Sequence, residues 1–357
     1  MKLNLYILHQ YGAPRHFESL YYMNDQNEKF DKIISTEFTF ARQLINSIRR
    51  KDRELFKRAL KNFYYFFFFL FTKNKSIVIG AAPYDIFIVY LSILSKRHKV
   101  IYYSSWPYWD KTNYPNKVFF KWQFKLWEKF LNNAKIVGVT NKVKTELEQY
   151  SNDITVIPHC INPNVFNSIS KLKEKNKVKI LYVGRIVEAK GISLILDLIR
   201  SNSVQGNVEW LFVGKGEMSD EITSLQKENS SIKFLGQVNT QTELAEIYKK
   251  CDILLLPSIP NKKWEELFGI VLIEAMACGV VPISSKCVGP QTIITNGYDG
   301  YLFDINNPGK MKEIINSLIK DKAKFISLAK NAECTVKEKY TVEVNSKLWE
   351  KVFSTNN

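Results

Sequence analysis

Two acidic side chains, Glu266 and Glu274, bracket a mostly apolar stretch of seven residues within the segment WEELFGIVLIEAMACG. A helix of about ten residues, from near Phe268 to Cys278, fits this segment, and Gly279 supplies a C-terminal stop. Glu266 then lies in the loop before the helix. Glu274 lies inside it, about two turns along and on roughly the same side. The spacing therefore predicts two carboxylates that contact one ligand.

The entrance of this helix is suited to a phosphate group. Gly269 has no side chain to block the free backbone N–H groups of the first turn, and the helix dipole favours negative charge there. Carboxylates accept hydrogen bonds from paired hydroxyls such as those of ribose and hexose. We therefore expect a ligand with a polyhydroxyl group at each end of a phosphate. As a structural alternative, Glu266 is an acid favoured by the helix start. The structural alternative is weaker for Glu274, because in the absence of a ligand the apolar segment IVLIEAMA would bury this carboxylate without a partner.

Two cations, Arg185 and Lys190, flank a short loop after the apolar run ILYVG, which ends at Gly184. Cations on a loop at the carboxyl end of a strand suit a diphosphate. Taken alone, the pair is weak evidence, because basic loop residues are usually just solvated. The nearby FVGKGEM, with Gly214 and Gly216, lacks the third glycine of a dinucleotide-binding fingerprint.

Short apolar runs alternate with helical stretches, which is typical of parallel sheets covered by helices on both faces. The runs are LNLYILHQ, KIIST, SIVIG, KVIYYSS, AKIVGVT and ITVIPH in the first half, then VKILYVG, VEWLFVG, SIKFLG, CDILLLPS, GVVPISS and GYLFD. The predicted helices are 40–70, 84–96, 117–132, 140–149, 190–201, 218–228, 241–250, 268–278, 289–295 and 308–319. The fold class is therefore α/β, with two doubly wound sheets.

A chain of 357 residues is long enough for two domains. The polar, Lys-rich stretch NPNVFNSISKLKEKNK reads as the join. We predict a first domain at 1–170, a second at 171–339, and a closing helix within 340–357. Ligands of open parallel sheets bind beyond the carboxyl ends of the strands, so two such sheets offer a cleft.

The charge of the chain is strongly positive and unevenly distributed. Lys and Arg total 51 against 35 acidic residues, a net charge of +16, and residues 1–168 account for +12 of it. A basic half indicates an anionic partner such as nucleic acid, a lipid surface or a phosphorylated substrate. We expect no nucleic-acid partner, because no recognisable nucleic-acid-binding motif accompanies the charge and the two spaced glutamates would have no use there.

The spacing of the cysteines and the N-terminal sequence indicate the cellular compartment of the protein. The five cysteines form no CxxC pair and no zinc-like spacing with histidine, which favours a reducing, cytoplasmic setting. The segment MKLNLYILHQYGAP contains no small-residue cleavage site, so we interpret it as a first strand and not as a signal peptide.

The aromatic run FYYFFFFLF, residues 63–71, allows more than one interpretation. As a helix it spans roughly 14 Å, too short to cross a bilayer. One interpretation is a core helix that continues into a buried segment. The other combines the run with the basic stretch 42–61 as a helix lying on an anionic membrane surface. An interface with a protein partner is a third possibility.

The motifs of the second half resemble, as a set, one known family. The set comprises a strand followed by GR and KG, then FVGKGEM, FLGQV, CDILLLPS, and the two spaced glutamates followed by AMACGVVPISS. Together they resemble the nucleotide-binding domain of the family-4 retaining glycosyltransferases, which have the GT-B fold. The ordered match covers about residues 178–305, and the resemblance of the first half is looser. The fold that it implies has two Rossmann-like domains facing a cleft, with a helix at 340–354 crossing back to the first.

Carried over residue by residue, the resemblance implies roles at the donor site. Arg185 and Lys190 would neutralise the donor diphosphate, and Glu266 would orient the hydroxyls of the transferred sugar. Glu274 would hold the ribose, and Phe234–Val238 would border the base. The complete donor-binding set implied in this way is Gly12, Gly184, Gly214, Phe268, Gly269, Ile270 and Glu274.

The first half departs from the family pattern at two places. The usual glycine pair of the first loop is here Gly12–Ala13. The histidine that the family often has near the sugar is missing from SSWPYWD, so Ser105, Trp106 and Asp110 become candidates for the sugar or acceptor side. By position in the sequence, three histidines are further candidates, although each is more readily an ordinary loop residue: His9, His16 and His159.

The resemblance implies a metal-independent retaining hexosyltransferase with no cofactor, whose substrate is a nucleotide sugar, with UDP or GDP expected. The acceptor would be a glycan or a lipid-linked molecule in cell-surface polysaccharide or glycolipid synthesis, at the inner face of the cell membrane. Two alternatives stay open: a non-catalytic nucleotide-sugar-binding protein, and a GT-B-like nucleotide-sugar epimerase.

Overall fold

The computed structural model describes residues 3–10, 12, 14–111, 118–168, 177–261 and 264–354. The chain divides into two compact units. One comprises Met1–His159 together with Asn345–Asn357, and the other comprises Cys160–Val344. The boundary predicted at residues 170 and 171 lies outside the described residues.

The first unit contains a six-stranded parallel sheet. Its strands are β1 (Leu5–His9), β2 (Ile33–Glu37), β3 (Ser76–Gly80), β4 (Lys99–Ser104), β5 (Lys135–Gly138) and β6 (Ile154–Val156), in the order β2-β1-β3-β4-β5-β6. Each strand was predicted, because β-branched and aromatic residues dominate every run. The helices are α1 (Glu18–Asn27), α2 (Phe40–Arg50), α3 (Arg53–Phe71), α4 (Ile88–Arg97), α5 (Trp122–Leu131) and α6 (Asn141–Leu147).

The single helix predicted for residues 40–70 is wrong, because two helices occupy this stretch. Lys51 takes a left-handed conformation with φ of 54° and ends α2. Asp52 then caps α3, since its side chain accepts a hydrogen bond from the backbone N–H of Leu55 at 2.9 Å. The interpretation of residues 63–71 as a buried segment is also wrong for most of the run, in which only Phe69 is buried.

The second unit contains another six-stranded parallel sheet. Its strands are β7 (Val178–Val183), β8 (Val208–Val213), β9 (Ile232–Phe234), β10 (Ile253–Leu256), β11 (Val281–Ser285) and β12 (Tyr301–Phe303), in the order β12-β11-β10-β7-β8-β9. The helices are α7 (Ile192–Arg200), α8 (Ser219–Glu228), α9 (Gln241–Lys249), α10 (Ile270–Ala277), α11 (Val288–Ile293), α12 (Gly309–Lys320), α13 (Lys322–Lys339) and α14 (Val342–Ser354). Most of α14, from Asn345 onwards, belongs to the first unit.

Each strand order contains one position where the chain reverses its direction of travel across the sheet. In the first sheet this switch point lies between β1 and β3, and in the second between β7 and β10. Because all strands of each sheet are parallel, their carboxyl ends share one edge. Loops that leave the two strands at a switch point diverge, and the crevice between them is where such sheets bind ligands.

The cores sit between these sheets and their helices. In the second unit, Ile180 and Tyr182 of β7 and Phe212 of β8 pack with Leu196 of α7 in one buried cluster. Within the described residues, no helix is both long enough and apolar enough to span a membrane.

Candidate functional site

The loop that follows β7 lies directly against the loop that follows β8. A Cβ atom on Gly214 would come within 1.8 Å of the carbonyl oxygen of Gly184, and one on Gly216 within 2.1 Å of that of Ile186. The backbone N–H of Ile186 donates to the carbonyl of Lys215 at 3.0 Å. The glycines of FVGKGEM therefore allow two backbones to touch, which fixes the start of the loop that carries Arg185.

The same β7 loop is held from its other side by the loop that follows β10. A Cβ on Gly191, whose φ is 73°, would lie 1.9 Å from the carbonyl oxygen of Pro257. The backbone N–H of Ile259 donates to the carbonyl of Ala189 at 2.9 Å. Lys190 is therefore positioned at the β7–β10 switch point by backbone contacts on both sides.

At this switch point Lys190 and Glu266 form an ion pair. The ammonium group donates to Oε2 of Glu266, and both side chains are largely buried, with exposed fractions of 14% and 13%. The hydroxyl of Ser258 donates to the same carboxylate oxygen at 3.3 Å. The Lys190 Nζ atom also lies 4.9 Å from the centre of the Trp264 ring, within the range of a cation–π contact. The structure thus brings together one predicted cation and one predicted acid.

Arg185 differs from Lys190 because its side chain is exposed and forms no ion pair within the described part of the chain. Its backbone is anchored, since the phenol of Tyr182 donates to the Arg185 carbonyl at 2.6 Å. Burial, with a smaller contribution from the negative charge of Glu266, raises the pKa of Tyr182. Tyr182 therefore stays a protonated donor, and the guanidinium of Arg185 is available to an anion.

The segment before α10 is held in place by the first residues of α11, Val288 and Gly289. The backbone N–H of Gly289 donates to the carbonyl of Glu266 at 2.9 Å, and a Cβ on Gly289 would lie 2.4 Å from the Cα of Phe268. The carboxylate of Glu265 accepts a hydrogen bond from the backbone N–H of Val288 at 2.7 Å. Phe268 is buried, with its ring 6.1 Å from that of Tyr340. This packing sets the position of Glu266 without using its side chain.

The entrance of α10 is formed as predicted. Gly269 precedes the helix in a left-handed conformation with φ of 87°, which a residue with a side chain adopts only with strain. The helix begins at Ile270, so its first backbone N–H groups follow Gly269 directly. A phosphate at this point would meet backbone N–H groups of the first turn and the positive end of the helix dipole.

Glu274 is fully buried in α10 and has a partner that the sequence did not reveal. The phenol of Tyr248, in α9, donates to Oε2 of Glu274 at 3.0 Å. The argument that Glu274 would lack a partner unless a ligand supplied one is therefore wrong, because Tyr248 is a partner within the fold. Tyr248 lies 26 residues before Glu274, so no local sequence pattern indicated the contact.

The predicted residues of the first unit lie at the carboxyl edge of its sheet. Gly12 has a φ of 72°, and a Cβ there would lie 2.8 Å from Oε1 of Glu37. Trp106 is buried, and its indole N–H donates to the carbonyl of Tyr108 at 2.7 Å. Ser105 is half-buried and Asp110 is exposed. The segment after β4 is thus a turn that is closed by a hydrogen bond within the segment, and the indole ring of Trp106 is buried.

The structure also brings together the three histidines that the sequence offered only by position. His9 ends β1, and its ring centre lies 5.9 Å from that of His16. The rings of His16 and His159 lie 4.1 Å apart, with their planes inclined by 32°. The hydroxyl of Tyr103 is hydrogen-bonded to Nδ1 of His159 at 3.0 Å. We call His9, His16 and His159 the histidine cluster.

Comparisons with known proteins show what the chain is similar to. The profile of the family "Glycosyl transferases group 1" matches residues 166–334. A protein of Campylobacter jejuni named N,N'-diacetylbacillosaminyl-diphospho-undecaprenol alpha-1,3-N-acetylgalactosaminyltransferase is 27% identical over 293 residues, 76% of this chain and 75% of that protein. An uncharacterized glycosyltransferase of Methanocaldococcus jannaschii is 28% identical over 207 residues, 57% of this chain and 54% of that one. The chain spans about half the length of that relative and of two others from the same organism.

The fold as a whole is similar to that of solved structures. The crystal structure of Anabaena HepE in complex with UDP and glucose superposes with a TM-score of 0.69, covering 99% of this chain and 100% of that one at 16% identity. At such identity the likeness concerns the fold alone. The two Rossmann-like parallel-sheet units and this neighbour identify the fold class as GT-B.

Proposed function

We propose that this protein is a retaining glycosyltransferase that moves a hexose-type sugar from a nucleotide diphosphate sugar to a glycan or lipid-linked acceptor. The observation that carries the proposal is the pair Lys190–Glu266 at the β7–β10 switch point, beside the exposed Arg185. A cation and an acid at one point suit a ligand in which a diphosphate is joined to a polyhydroxyl group. The profile match and the relatives named glycosyltransferases support this reading.

In this proposal the chain supplies charge stabilisation without a metal ion. Cleavage of a nucleotide sugar leaves negative charge on the diphosphate, while the sugar passes through an oxocarbenium-like transition state. Lys190, Arg185 and the entrance of α10 at Gly269 would stabilise that charge. Glu266 would accept hydrogen bonds from the sugar hydroxyls, and Glu274 from the ribose.

Retention of configuration would follow if the acceptor attacks from the face that the diphosphate leaves. The bond between the anomeric carbon and the diphosphate oxygen breaks, and the bond to the acceptor oxygen forms. The acceptor proton passes to the departing diphosphate oxygen, so the reaction requires no separate base. UDP and GDP are the expected nucleotides, and HepE was crystallised with UDP.

The acceptor side of the proposal is based on charge and on one relative. The name of the Campylobacter jejuni relative describes a lipid-diphosphate-linked acceptor. In this chain α2 and α3 present exposed basic and apolar residues together, and we call this the α2–α3 surface. Its basic members are Arg42, Arg49, Arg50, Lys51, Arg53, Lys57, Arg58 and Lys61, and its exposed apolar members are Ile45, Ile48, Phe56, Leu60, Phe63, Tyr64, Phe67 and Phe71.

A surface of this composition fits an anionic membrane. Each basic residue close to an anionic lipid surface contributes about 1 kcal/mol, and exposed aromatic rings favour the interface. We therefore propose that the protein is peripheral at the inner face of the cell membrane, where a lipid-linked acceptor would be within reach.

The proposal is tested by adding nucleotides and measuring thermal unfolding. UDP, GDP, ADP and CMP would be compared with their sugars, because a ligand at 100 times its dissociation constant adds about 2.7 kcal/mol of stability. Stabilisation by one nucleoside diphosphate, abolished by Arg185→Ala, is expected. If none stabilises the chain, the proposal is wrong.

Product analysis with the stabilising donor then separates the remaining functions. Transfer to an added acceptor supports the glycosyltransferase. An altered nucleotide sugar formed without an acceptor would indicate an epimerase. Binding with no turnover would indicate a nucleotide-sugar-binding protein, a function that the mutual neutralisation of Lys190 and Glu266 would also permit.

A further inference from the structure

The histidine cluster lies at the switch point of the first sheet, in a position equivalent to that of Lys190 in the second. His9 is the last residue of β1, and its ring lies over Gly80, the last residue of β3. A Cβ on Gly80 would come within 2.2 Å of Cδ2 of His9. The cluster therefore occupies the edge of the sheet where ligands of parallel sheets bind.

His16 is the member of the cluster that is free to contact a ligand. It lies in the short turn Pro14–Phe17, is half-buried, and contacts the rings of His9 and His159. Its ring nitrogens form no hydrogen bond to any of the described residues. His159, in contrast, is buried and bonded to Tyr103, and Asn345 donates to the carbonyl of Pro158 at 2.9 Å beside it.

The cluster is uncharged at neutral pH. Burial, with the neighbouring His16, lowers the pKa of His9 to about 4, and burial, with the neighbouring Arg15, lowers the pKa of His16 to about 4. Burial also lowers the pKa of His159. A neutral imidazole carries one N–H donor and one nitrogen acceptor, the same pair that a hydroxyl group offers. A phosphate would instead prefer a protonated ring, so the arrangement favours a hydroxyl over an anion.

We propose that His16 hydrogen-bonds a sugar or polyol hydroxyl of the acceptor, while His9 and His159 hold its ring between them. This inference rests on the proposed function and names the acceptor-binding residue for it. His16 orients the hydroxyl and takes no proton. His9 and His159 are positioning residues, because they act through the ring of His16.

The test follows the imidazole signals of the chain by NMR. The sequence contains four histidines, so selective ¹⁵N labelling gives a spectrum that single substitutions can assign. His98 is an internal control, because Nε2 contacts the Phe69 carbonyl at 2.8 Å and Nδ1 accepts from the Lys75 N–H at 3.2 Å. Octyl glucoside below its micelle concentration is the hydroxyl probe, and inorganic phosphate is the anionic probe.

Octyl glucoside is expected to shift the His16 signal, with smaller shifts at His9 and His159 and none at His98. Phosphate at the same concentration is expected to leave the cluster unchanged. A cluster that responds to phosphate and not to the glycoside would overturn the proposal in favour of an anion site. A cluster that responds to neither probe would overturn it as well.

Two substitutions separate hydrogen bonding from packing. His16→Phe keeps a stacked ring but has no nitrogen, and we expect it to weaken glycoside binding about tenfold, as for one lost hydrogen bond. His16→Gln keeps an amide donor and acceptor, and we expect it to retain most of the affinity. If His16→Phe retains the affinity for the glycoside and His16→Gln loses it, His16 is a packing residue and the proposal fails.

Nucleotide stabilisation in the same variants distinguishes this inference from the proposed function. His16→Phe should be stabilised by the donor nucleotide as strongly as the unaltered chain. If the nucleotide stabilises both chains and octyl glucoside shifts no signal of the histidine cluster, only the acceptor assignment is wrong. If no nucleotide stabilises either chain, the proposed function itself is wrong.

Discussion

Lys190 and Glu266 neutralise each other at the β7–β10 switch point, and the ring of Trp264 covers the ammonium group. The cation that we assign to the donor diphosphate is thus already paired with the acid that we assign to the donor sugar. A nucleotide without a sugar would have to compete with Glu266 for Lys190. A complete nucleotide sugar could satisfy both groups at once, because it brings an anion and hydroxyls together.

Glu266→Gln is therefore expected to increase the affinity for the free nucleoside diphosphate and to lower turnover. Removing the competing carboxylate should tighten binding severalfold, since a largely buried ion pair is worth more than an exposed one. Calorimetric titration with UDP or GDP measures this effect. Glu265→Gln is the matched control, because Glu265 bonds the backbone of Val288 and not Lys190. Weaker nucleotide binding by Glu266→Gln would contradict the competition.

Arg185→Ala and Lys190→Ala are expected to reduce turnover by about 10²- to 10³-fold, the effect of removing a donor that stabilises transition-state charge. Single-turnover release of the nucleoside diphosphate measures the chemical step. Lys215→Ala is the control, because Lys215 is exposed on the adjacent loop and should change turnover little. Near-normal activity of Arg185→Ala or Lys190→Ala would exclude the diphosphate role of that residue.

Glu274→Gln is expected to raise the Michaelis constant for the donor with a smaller effect on turnover, because a ribose contact is present in both the ground state and the transition state. Tyr248→Phe provides the comparison, since it removes the hydrogen bond to Glu274 and keeps the carboxylate. Both changes should lower stability by about 1 to 3 kcal/mol. If the two variants bind donor equally well, Glu274 is a structural acid.

Acidification is expected to destabilise the first unit through the histidine cluster. The folded-state pKa values of His9 and His16 are lowered to about 4 from 6.5. Their contribution to the unfolding free energy is complete above pH 6.5, and is lost as the pH falls towards 4, because the unfolded chain binds the protons first. Each group changes the unfolding free energy by at most about 1.4 kcal/mol per pH unit. Urea titrations at pH 7 and pH 5 measure this, and His16→Phe should show the smaller difference. Equal differences in the two chains would mean that His16 keeps its ordinary pKa.

Binding to anionic vesicles is expected to depend on the α2–α3 surface. Replacing Arg49, Arg50 and Lys51 with Gln should weaken sedimentation with phosphatidylglycerol vesicles by about 3 kcal/mol at low salt. Replacing Lys322, Lys330 and Lys337 on α13 removes the same charge from the other unit and is the control. Raising the salt concentration should release the unaltered chain. Failure to sediment at low salt would rule out the membrane proposal.

The alternation of elements could be read from the sequence because each strand is a continuous apolar run with parallel neighbours. All twelve observed strands correspond to predicted runs. Helix ends were harder to predict. The break between α2 and α3 depends on the left-handed conformation of Lys51 and on the cap formed by Asp52, and neither feature changes the hydrophobic pattern of the sequence. The long α13 was not predicted, because Lys322–Lys339 is mostly polar and only a few of its residues are buried.

The site was predictable where chemistry and spacing coincide, and not where contacts join distant parts of the chain. Lys190 and Glu266 were each identified by position, but their pairing depends on how the loops after β7 and β10 pack. The partner of Glu274 lies 26 residues away. His16 and His159 are separated by most of the first unit, so no local pattern could bring them together.

The last helix has a consequence for how the chain is made. Trp349 is fully buried and stacks on Tyr103, and Phe353 packs on Phe30, so the first unit is closed by residues that are synthesised after those of the second unit. A ribosome adding about 5 to 20 residues per second needs about 10 to 40 seconds to pass from the end of β6 to Trp349. During that interval the second unit can bury its core, while the first unit still lacks the part of α14 that belongs to it. The synthesis of the first unit therefore begins earlier, but its folding is completed after that of the second unit.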